Sequence, residues 1–214
     1  EIDHVQIIRI GTKVPAFNPF RILNDPSLLE MFKTYSTNEK KIYIMAHFNH
    51  PRELTPEAIE GLNLLMKFEV SLVNQTPLVK GVNDDPEVLA ELFSKLSYIG
   101  VPPYYVFLCR PTLGNETYSL PVERGYEIFE KSRALCSGLA KRARLVMSHV
   151  SGKIEVVGLT EDQIFFKFLR AADKINDARF MAFFRNPEAC WFDDYQEASD
   201  EFSLFSQTVR AGCS

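Results

Sequence analysis

Short apolar segments alternate with longer amphipathic ones between His4 and Ser148 of this chain. The short runs are rich in β-branched and aromatic residues and predict buried strands, whereas the longer segments repeat apolar residues at helical spacing. The predicted strands are His4–Ile10, Ile42–Ala46, Val70–Gln75, Pro102–Arg110 and Ala143–Ser148. This alternation favours parallel strands joined by crossover helices, in a barrel or in an open sheet.

Helix starts are marked by a capping residue followed directly by proline. Such pairs open three predicted helices, Asp25–Tyr35, Thr55–Lys67 and Asp85–Tyr98, because an N-cap side chain and a proline at the first helical position both favour helix initiation. A fourth helix is predicted over Pro121–Leu135, and the proline-punctuated segment Gly11–Ile22 is predicted to be a loop.

The pattern changes after Ser148. The segments "GKIEVVGL" and "QIFFKFLRA" predict two antiparallel strands joined by "TEDQ", and "DARFMAFFR" predicts a third strand. A polar stretch from Asp193 to Glu201 then leads to a predicted short helix. The expected fold is therefore α/β, with parallel strands and crossover helices followed by a small antiparallel C-terminal extension. We place the division between residues 1–150 and residues 151–214.

Composition excludes several partners. The chain is 46% hydrophobic and 24% charged with a formal net charge of -4, and its pI is about 5.7, so nothing favours nucleic acid or an anionic membrane. No apolar run approaches the roughly 18–20 residues of a membrane span. The four cysteines, at positions 109, 136, 190 and 213, are widely spaced. Free thiols and a cytoplasmic location are expected.

Polar residues gather where the predicted strands end: Arg9, Thr12, His47, Asn49, Asn74, Gln75, Tyr105, Arg110 and Ser148. In a barrel these side chains converge on one mouth, where such folds carry their chemistry. The set contains hardly any acid, so it suits an anionic, aromatic or zwitterionic ligand better than a bare metal. The alternative is that they cap strand ends and satisfy loop backbone groups.

Two other chemistries can be weighed from the residues alone. His47 and His50 form a histidine pair, but Pro51 prevents simple helix continuation and no third ligand is near, so no metal site is predicted. Lys153 follows a Ser-Gly turn, where desolvation can make an amine a nucleophile for a carbonyl. The residues alone do not separate Lys153 from the other lysines.

Seven blocks resemble the lysine 2,3-aminomutase family of radical S-adenosylmethionine (SAM) enzymes, in that family's order. They are "HVQIIRIGTKVP", "HFNHPRELTPEA", "VNQTPLVKGVND", "PPYYVFLCRPTLG", "LPVERGYEIFE", "CSGLAKRARLVMS" and "SGKIEVVG". The resemblance implies a partial (β/α) barrel that binds a [4Fe–4S] cluster, SAM and pyridoxal phosphate (PLP). A 5′-deoxyadenosyl radical then takes hydrogen from a PLP-bound amino acid, and the amino group migrates.

The resemblance also implies residue roles. Lys153 would hold PLP as a Schiff base, and His47, Asn49 and Gln75 would line the cofactor mouth. Arg9 and Tyr105, from the strand-end set, are assigned to cofactor binding with them.

Arg110 and Ser148 stand where the lysine enzymes keep two aspartates for the substrate's distal ammonium. An arginine there should repel lysine and favour a carboxylate. The alternative is that Arg110 turns outward and pairs with Glu116 or Glu123.

The family's cluster motif, C-x-x-x-C-x-x-C, does not occur in these 214 residues, and the Gly-rich run before the PLP lysine is shortened to Ser151-Gly152. Because the chain opens at Glu1 directly into a predicted strand, we expect it to be the C-terminal half of a longer enzyme. Its first strand would contact the missing half or a second copy, and its substrate would be a small molecule, an amino acid. Two alternatives stay open: a non-catalytic half-barrel that binds a ligand or aids assembly, and a PLP-free relative that modifies a protein lysine.

Overall fold

A computed structural model describes residue 2 and residues 4–198 of the 214. The described strands are β1 (Ile7–Thr12), β2 (Lys41–Ala46), β3 (Ser71–Leu78), β4 (Pro103–Leu108), β5 (Arg144–His149), β6 (Gly152–Leu159), β7 (Gln163–Ala171) and β8 (Phe180–Phe184). The described α-helices are α1 (Val14–Phe17), α2 (Phe20–Leu23), α3 (Pro26–Tyr35), α4 (Pro56–Lys67), α5 (Pro86–Ile99) and α6 (Val122–Ala134).

The chain divides into two compact units. Among the described residues, the first contains residue 2 and residues 4–106 and 128–143, and the second contains residues 107–127 and 144–198. The predicted division at residue 150 stays a prediction.

Parallel strands form the sheet of the first unit. β1 pairs with β2 in parallel, with Ile10 opposite Ile44, and β2 pairs with β3 in parallel, with Ile44 opposite Leu72. The helices α3 and α4 lie between these strands in sequence. The predicted α/β class, with parallel strands and crossover helices, is confirmed.

Local sequence signals fix the long helices of this unit. The Asp25 and Thr55 side chains accept hydrogen bonds from main-chain N–H groups at the starts of α3 and α4. The apolar face of α4 buries Leu62 and Leu65 completely, and Gly100 ends α5 in the left-handed conformation, with φ of 93°. These three helix predictions were right to within a residue or two.

Three boundary predictions in this unit were wrong. β1 begins at Ile7 rather than His4, and β3 continues to Leu78 rather than stopping at Gln75. The predicted loop over residues 11–22 instead contains α1 and α2, because Pro15 and Pro19 lie at the starts of short helices, where proline is tolerated. β1 is exposed along most of its length, including the side chains of Ile7 and Ile8.

The second unit is antiparallel. β5 pairs with β6, β6 with β7 and β7 with β8, all in antiparallel register, so the predicted C-terminal extension is confirmed. Aromatic side chains fill its core: the Phe166 ring lies 5.5 Å from that of Phe183, 5.2 Å from that of Phe192 and 5.3 Å from that of Tyr195. The helix predicted after Glu201 lies outside the described residues.

Gly152 begins β6 with φ of 142°, a conformation that other residues rarely adopt. A Cβ added there would meet the carbonyl oxygen of Arg170 and would lie 2.8 Å from the Cα of Ala171. Both neighbours are backbone atoms on β7, so neither can rotate away.

We therefore expect Gly152→Ala to lower the free energy of unfolding by at least about 2 kcal/mol, from backbone strain and steric conflict. Chemical denaturation measures the change. Gly138→Ala is the matched control, because a Cβ there meets nothing within 4 Å. Equal stability of the two variants would contradict this account of Gly152.

Candidate functional site

Buried polar side chains of β3 hold the loop that follows β2. The Asn74 Oδ1 accepts the main-chain N–H of Phe48 at 2.9 Å, and the Asn74 Nδ2 donates to the Phe48 carbonyl oxygen at 3.3 Å. The Thr76 hydroxyl donates to the same oxygen at 2.9 Å. Asn74 and Thr76 are each 1% exposed, so these bonds are shielded from water. They fix the backbone between His47 and Asn49.

A second set of bonds fixes Asn49. Its main-chain N–H donates to the Glu53 carboxylate at 2.6 Å, and its carbonyl oxygen accepts from the buried Asn83 Nδ2 at 2.9 Å. The Lys13 ammonium pairs with the other oxygen of Glu53 at 2.6 Å and donates to the His47 carbonyl oxygen at 3.3 Å. The loop is therefore held by its main chain, which leaves its side chains for other contacts.

The side chains of His47 and Gln75 form a hydrogen bond in the first unit. Burial lowers the pKa of the His47 imidazole; a hydrogen bond with Gln75 opposes the shift, and the nearby Lys13 charge adds to it. The Asn49 Oδ1 is buried and has no hydrogen-bond partner among the described residues. A buried acceptor without a donor is costly, and a bound ligand with an N–H or O–H group would remove that cost.

Gln75 lies within β3 rather than at its end, because that strand continues to Leu78. Two further assigned residues also lie away from strand ends. Arg9 is opposite Tyr43 within β1, because that strand continues to Thr12. Tyr105 lies within β4, with its ring centroid 4.0 Å from that of Tyr104. The expectation that both stand at strand ends was wrong, and their assignment to cofactor binding stays a prediction.

In the second unit, Lys153 and Ser148 face each other across the hairpin of β5 and β6. The Lys153 ammonium lies 3.5 Å from the Ser148 hydroxyl and 4.4 Å from the centre of the Phe107 ring. The β6–β7 register shifts between Lys153 and Ile154, and such a bulge re-aims the side chain beside it. Phe107 was not predicted, since nothing in the sequence marks a strand phenylalanine as the neighbour of a particular lysine.

Arg110 is exposed just beyond the end of β4. No ion pair of its guanidinium is recorded within the described part of the chain. Glu123 instead bonds Arg185 at 2.8 and 2.9 Å, and the Glu116 carboxylate accepts the main-chain N–H of Gly114. The alternative pairing of Arg110 with these two acids is therefore absent from the described residues.

No group of three or more potential metal ligands occurs within residue 2 and residues 4–198. The cysteines described there are free thiols, at positions 109, 136 and 190, and burial raises the pKa of each. Protonated, scattered thiols do not fit an iron–sulfur cluster. None of the helices described is long and apolar enough to cross a membrane.

The lowered pKa of His47 predicts a pH dependence. Because its pKa lies below the ordinary value of about 6.5, the unfolded chain binds the proton more readily than the folded one. The contribution of His47 to the free energy of unfolding is therefore fully present above about pH 6.5, and it declines as the pH falls toward the folded-state pKa.

We expect the imidazole of His47 to titrate below 6.5 in an NMR experiment, and the free energy of unfolding to fall with acidification more steeply than in His47→Gln. An imidazole midpoint at or above 6.5 would contradict the burial that the structure shows.

No protein-family model matches the chain. Among curated proteins, it is 57% identical over 203 residues to one of Aquifex aeolicus named "Putative L-lysine 2,3-aminomutase", an alignment that covers 94% of this chain and 54% of that protein. It is 43% identical over 138 residues to the L-lysine 2,3-aminomutase of Clostridium subterminale, which covers 64% of this chain and 32% of that protein. It is 37% identical over 140 residues to the glutamate 2,3-aminomutase of Clostridioides difficile, which covers 65% of this chain and 32% of that protein.

Among solved structures, a radical SAM methyltransferase from Sphaerobacter thermophilus matches with a TM-score of 0.43 and 17% identity, over 57% of this chain and 40% of that chain. The chain spans about half the length of the Aquifex relative and about a third of the other two. Because more than half of the aligned positions are identical along nearly all of these 214 residues, the chain belongs to the lysine 2,3-aminomutase family.

Proposed function

We propose that the whole protein is a PLP-dependent radical SAM amino acid 2,3-aminomutase, an isomerase that moves an amino group between adjacent carbons. In this proposal the chain supplies the PLP lysine and part of the cofactor-binding surface. The observation that supports it most is Lys153, a lysine on a short hairpin with its ammonium beside a hydroxyl and an aromatic ring. Membership of the family adds to that support.

The residues around Lys153 fit PLP. A primary amine is the group that binds the PLP aldehyde, and the nearby Phe107 ring and Ser148 hydroxyl offer an apolar face and a polar contact. When bound, PLP supplies an electron sink that stabilises charge and unpaired spin next to the amino group.

In this proposal the chain's own groups hold the Lys153 amine and orient the side chains that contact the cofactor. The β5–β6 hairpin fixes the direction of the Lys153 side chain, and the Ser148 hydroxyl holds the amine by a hydrogen bond. In the first unit, the fixed loop backbone orients the His47 imidazole, which is neutral at physiological pH because burial lowers its pKa. A neutral imidazole both accepts and donates, and the buried Asn49 Oδ1 accepts. We assign His47, Asn49, Gln75, Arg9 and Tyr105 to cofactor contacts.

The iron–sulfur cluster does not fit the residues described, because no three potential ligands come together among them. We propose that another part of the whole protein provides the cluster ligands. The exposed β1 strand is the surface expected to contact that part or a second copy, since an unpaired strand edge favours pairing. We also propose a cytoplasmic location, in keeping with the free thiols.

We further propose that the substrate is not lysine and that its distal end is acidic or neutral. The relatives include enzymes named for lysine and for glutamate, so family membership alone does not choose between them. Arg110 favours an acid, because its guanidinium is exposed and has no recorded ion pair within the described residues. A planar guanidinium binds a carboxylate through two parallel hydrogen bonds.

The PLP assignment predicts a covalent label on one lysine. Borohydride reduction of the whole protein with PLP, followed by peptide mapping, should place a pyridoxyl group on Lys153, and Lys153→Arg should abolish it. Lys167→Arg, on the neighbouring strand β7, is the matched control and should leave the label in place. A label on another lysine would overturn the assignment.

The substrate proposal predicts a preference for glutamate over lysine. In the whole protein with its cofactors, Arg110→Asp should shift the glutamate-to-lysine ratio of kcat/KM toward lysine by at least about tenfold, because a charge-assisted bidentate pair is replaced by repulsion. Arg124→Asp is the control, since Arg124 is a surface partner of Glu127 at 3.1 Å. If the unaltered enzyme prefers lysine, the proposal fails, and an unchanged ratio in Arg110→Asp removes Arg110 from the site.

A further inference from the structure

The His149 imidazole makes two hydrogen bonds in the second unit, one within its own turn and one to a segment 44 residues away. Its Nδ1 is 2.6 Å from the Ser151 hydroxyl, and its Nε2 is 3.0 Å from the Asp193 carboxylate. The His149 side chain is 8% exposed although that of Asp193 is 66% exposed. Sequence reasoning missed this contact, because the histidine and the aspartate are 44 residues apart.

The hydrogen-bond pattern fixes the tautomer. Besides facing the hydroxyl, Nδ1 accepts the main-chain N–H of Ser151 at 3.2 Å. Nδ1 is therefore an acceptor, and Nε2 carries the proton that is donated to Asp193. The ring is also packed by the segment that contains Asp193, with the Phe192 ring centroid at 5.4 Å and that of Trp191 at 6.2 Å.

The segment that contains Asp193 is itself held in place. The Asp194 carboxylate accepts the main-chain N–H groups of Cys190 and Trp191 at 3.0 and 2.9 Å. Asp193 therefore extends from a closed turn rather than from a free tail, and it can hold His149 in one orientation.

This contact lies beside the proposed PLP lysine. His149 is paired with Gly152 across the hairpin, and Ser148 is paired with Lys153 in the next position. Only Val150 and Ser151 separate the two strands. His149 thus bonds the hydroxyl and the N–H of a residue in the turn that determines where Lys153 points.

We propose that His149, held by Asp193, is a positioning residue for Lys153: it locks the two-residue turn between β5 and β6. The inference rests on the proposed role of Lys153 in binding PLP. The serine, histidine and aspartate resemble a hydrolytic triad, but the histidine nitrogen also binds the serine's own N–H, two residues along the same turn. That local pattern closes a turn rather than activating a nucleophile.

Two variants of Asp193 distinguish the effect of its hydrogen bond to His149 from the effect of its negative charge. Asp193→Ala removes the acceptor for the Nε2 proton, whereas Asp193→Asn keeps an oxygen that can accept it. Asp162→Ala is the matched control, because Asp162 is an exposed aspartate in the turn between β6 and β7. All are made in the whole protein.

The first readout needs no cofactor. The Ser151 amide, which donates to His149, should exchange its hydrogen at least about tenfold faster in Asp193→Ala. The substitution removes the hydrogen bond between the His149 imidazole and the Asp193 carboxylate, and this bond holds the imidazole in place as the acceptor. The second readout is the rate at which PLP and borohydride label Lys153, which should fall at least about tenfold. Asp193→Asn should remain within about threefold of the unaltered protein in both, since it rescues the acceptor.

The outcomes distinguish the two proposals. If the unaltered protein is not labelled at Lys153, the PLP assignment fails and the inference fails with it, whatever the exchange rates show. If Lys153 is labelled but Asp193→Ala changes neither rate, or changes exchange alone, the positioning role is wrong and the PLP assignment stands. If Asp193→Asn behaves like Asp193→Ala, the hydrogen bond is not the cause and the inference is overturned.

Discussion

The structure around the proposed PLP lysine depends on the tight pairing of β5 with β6. A turn of two residues joins these strands, and their antiparallel register sets Ser148 against Lys153. Gly152 makes this possible, because its positive φ and lack of a Cβ let β7 approach the start of β6. With the turn this short, the side chains on either side of it have little freedom. A lysine, a serine and an aromatic neighbour are therefore held together without a flexible loop.

In the first unit, hydrogen bonds to the main chain position the loop that carries His47 and Asn49. Asn74, Thr76 and Asn83 are almost completely buried, and each bonds the backbone of the loop after β2 or of the loop after β3. Breaking one of these bonds would leave a buried donor or acceptor unpaired, which costs about 1–3 kcal/mol. The loop backbone is thus held by buried side chains that lie outside the loop itself. His47 and Asn49 are thus positioned through the backbone of their loop rather than through their own side chains.

Local features were readable from the sequence, and long-range ones were not. The helix starts at Asp25, Thr55 and Asp85 were predicted because capping and proline signals act within one turn. Asn74 was grouped with the site residues, but the structure shows that it bonds the Phe48 backbone, a contact 26 residues away. β3 continues beyond the predicted end at Gln75, because Pro77 follows the stretch that pairs with β2 and so removes no bond from that ladder. The contacts of His149 with Asp193 and of Lys153 with Phe107 depend on how distant segments pack, which local sequence patterns do not predict.

The central claim is that an amino group migrates between adjacent carbons on this protein. The most direct measurement uses the whole protein loaded with PLP, SAM and a reduced cluster. Its substrate is glutamate that carries ¹⁵N at the amino group and ¹³C at carbon 2, and NMR follows the labelled nitrogen. The account predicts that the ¹⁵N–¹³C coupling at carbon 2 disappears as the labelled nitrogen moves to carbon 3, and that Lys153→Ala abolishes this change. Retention of the nitrogen on carbon 2 by a fully loaded protein, with glutamate and with a panel of other labelled amino acids, would contradict it.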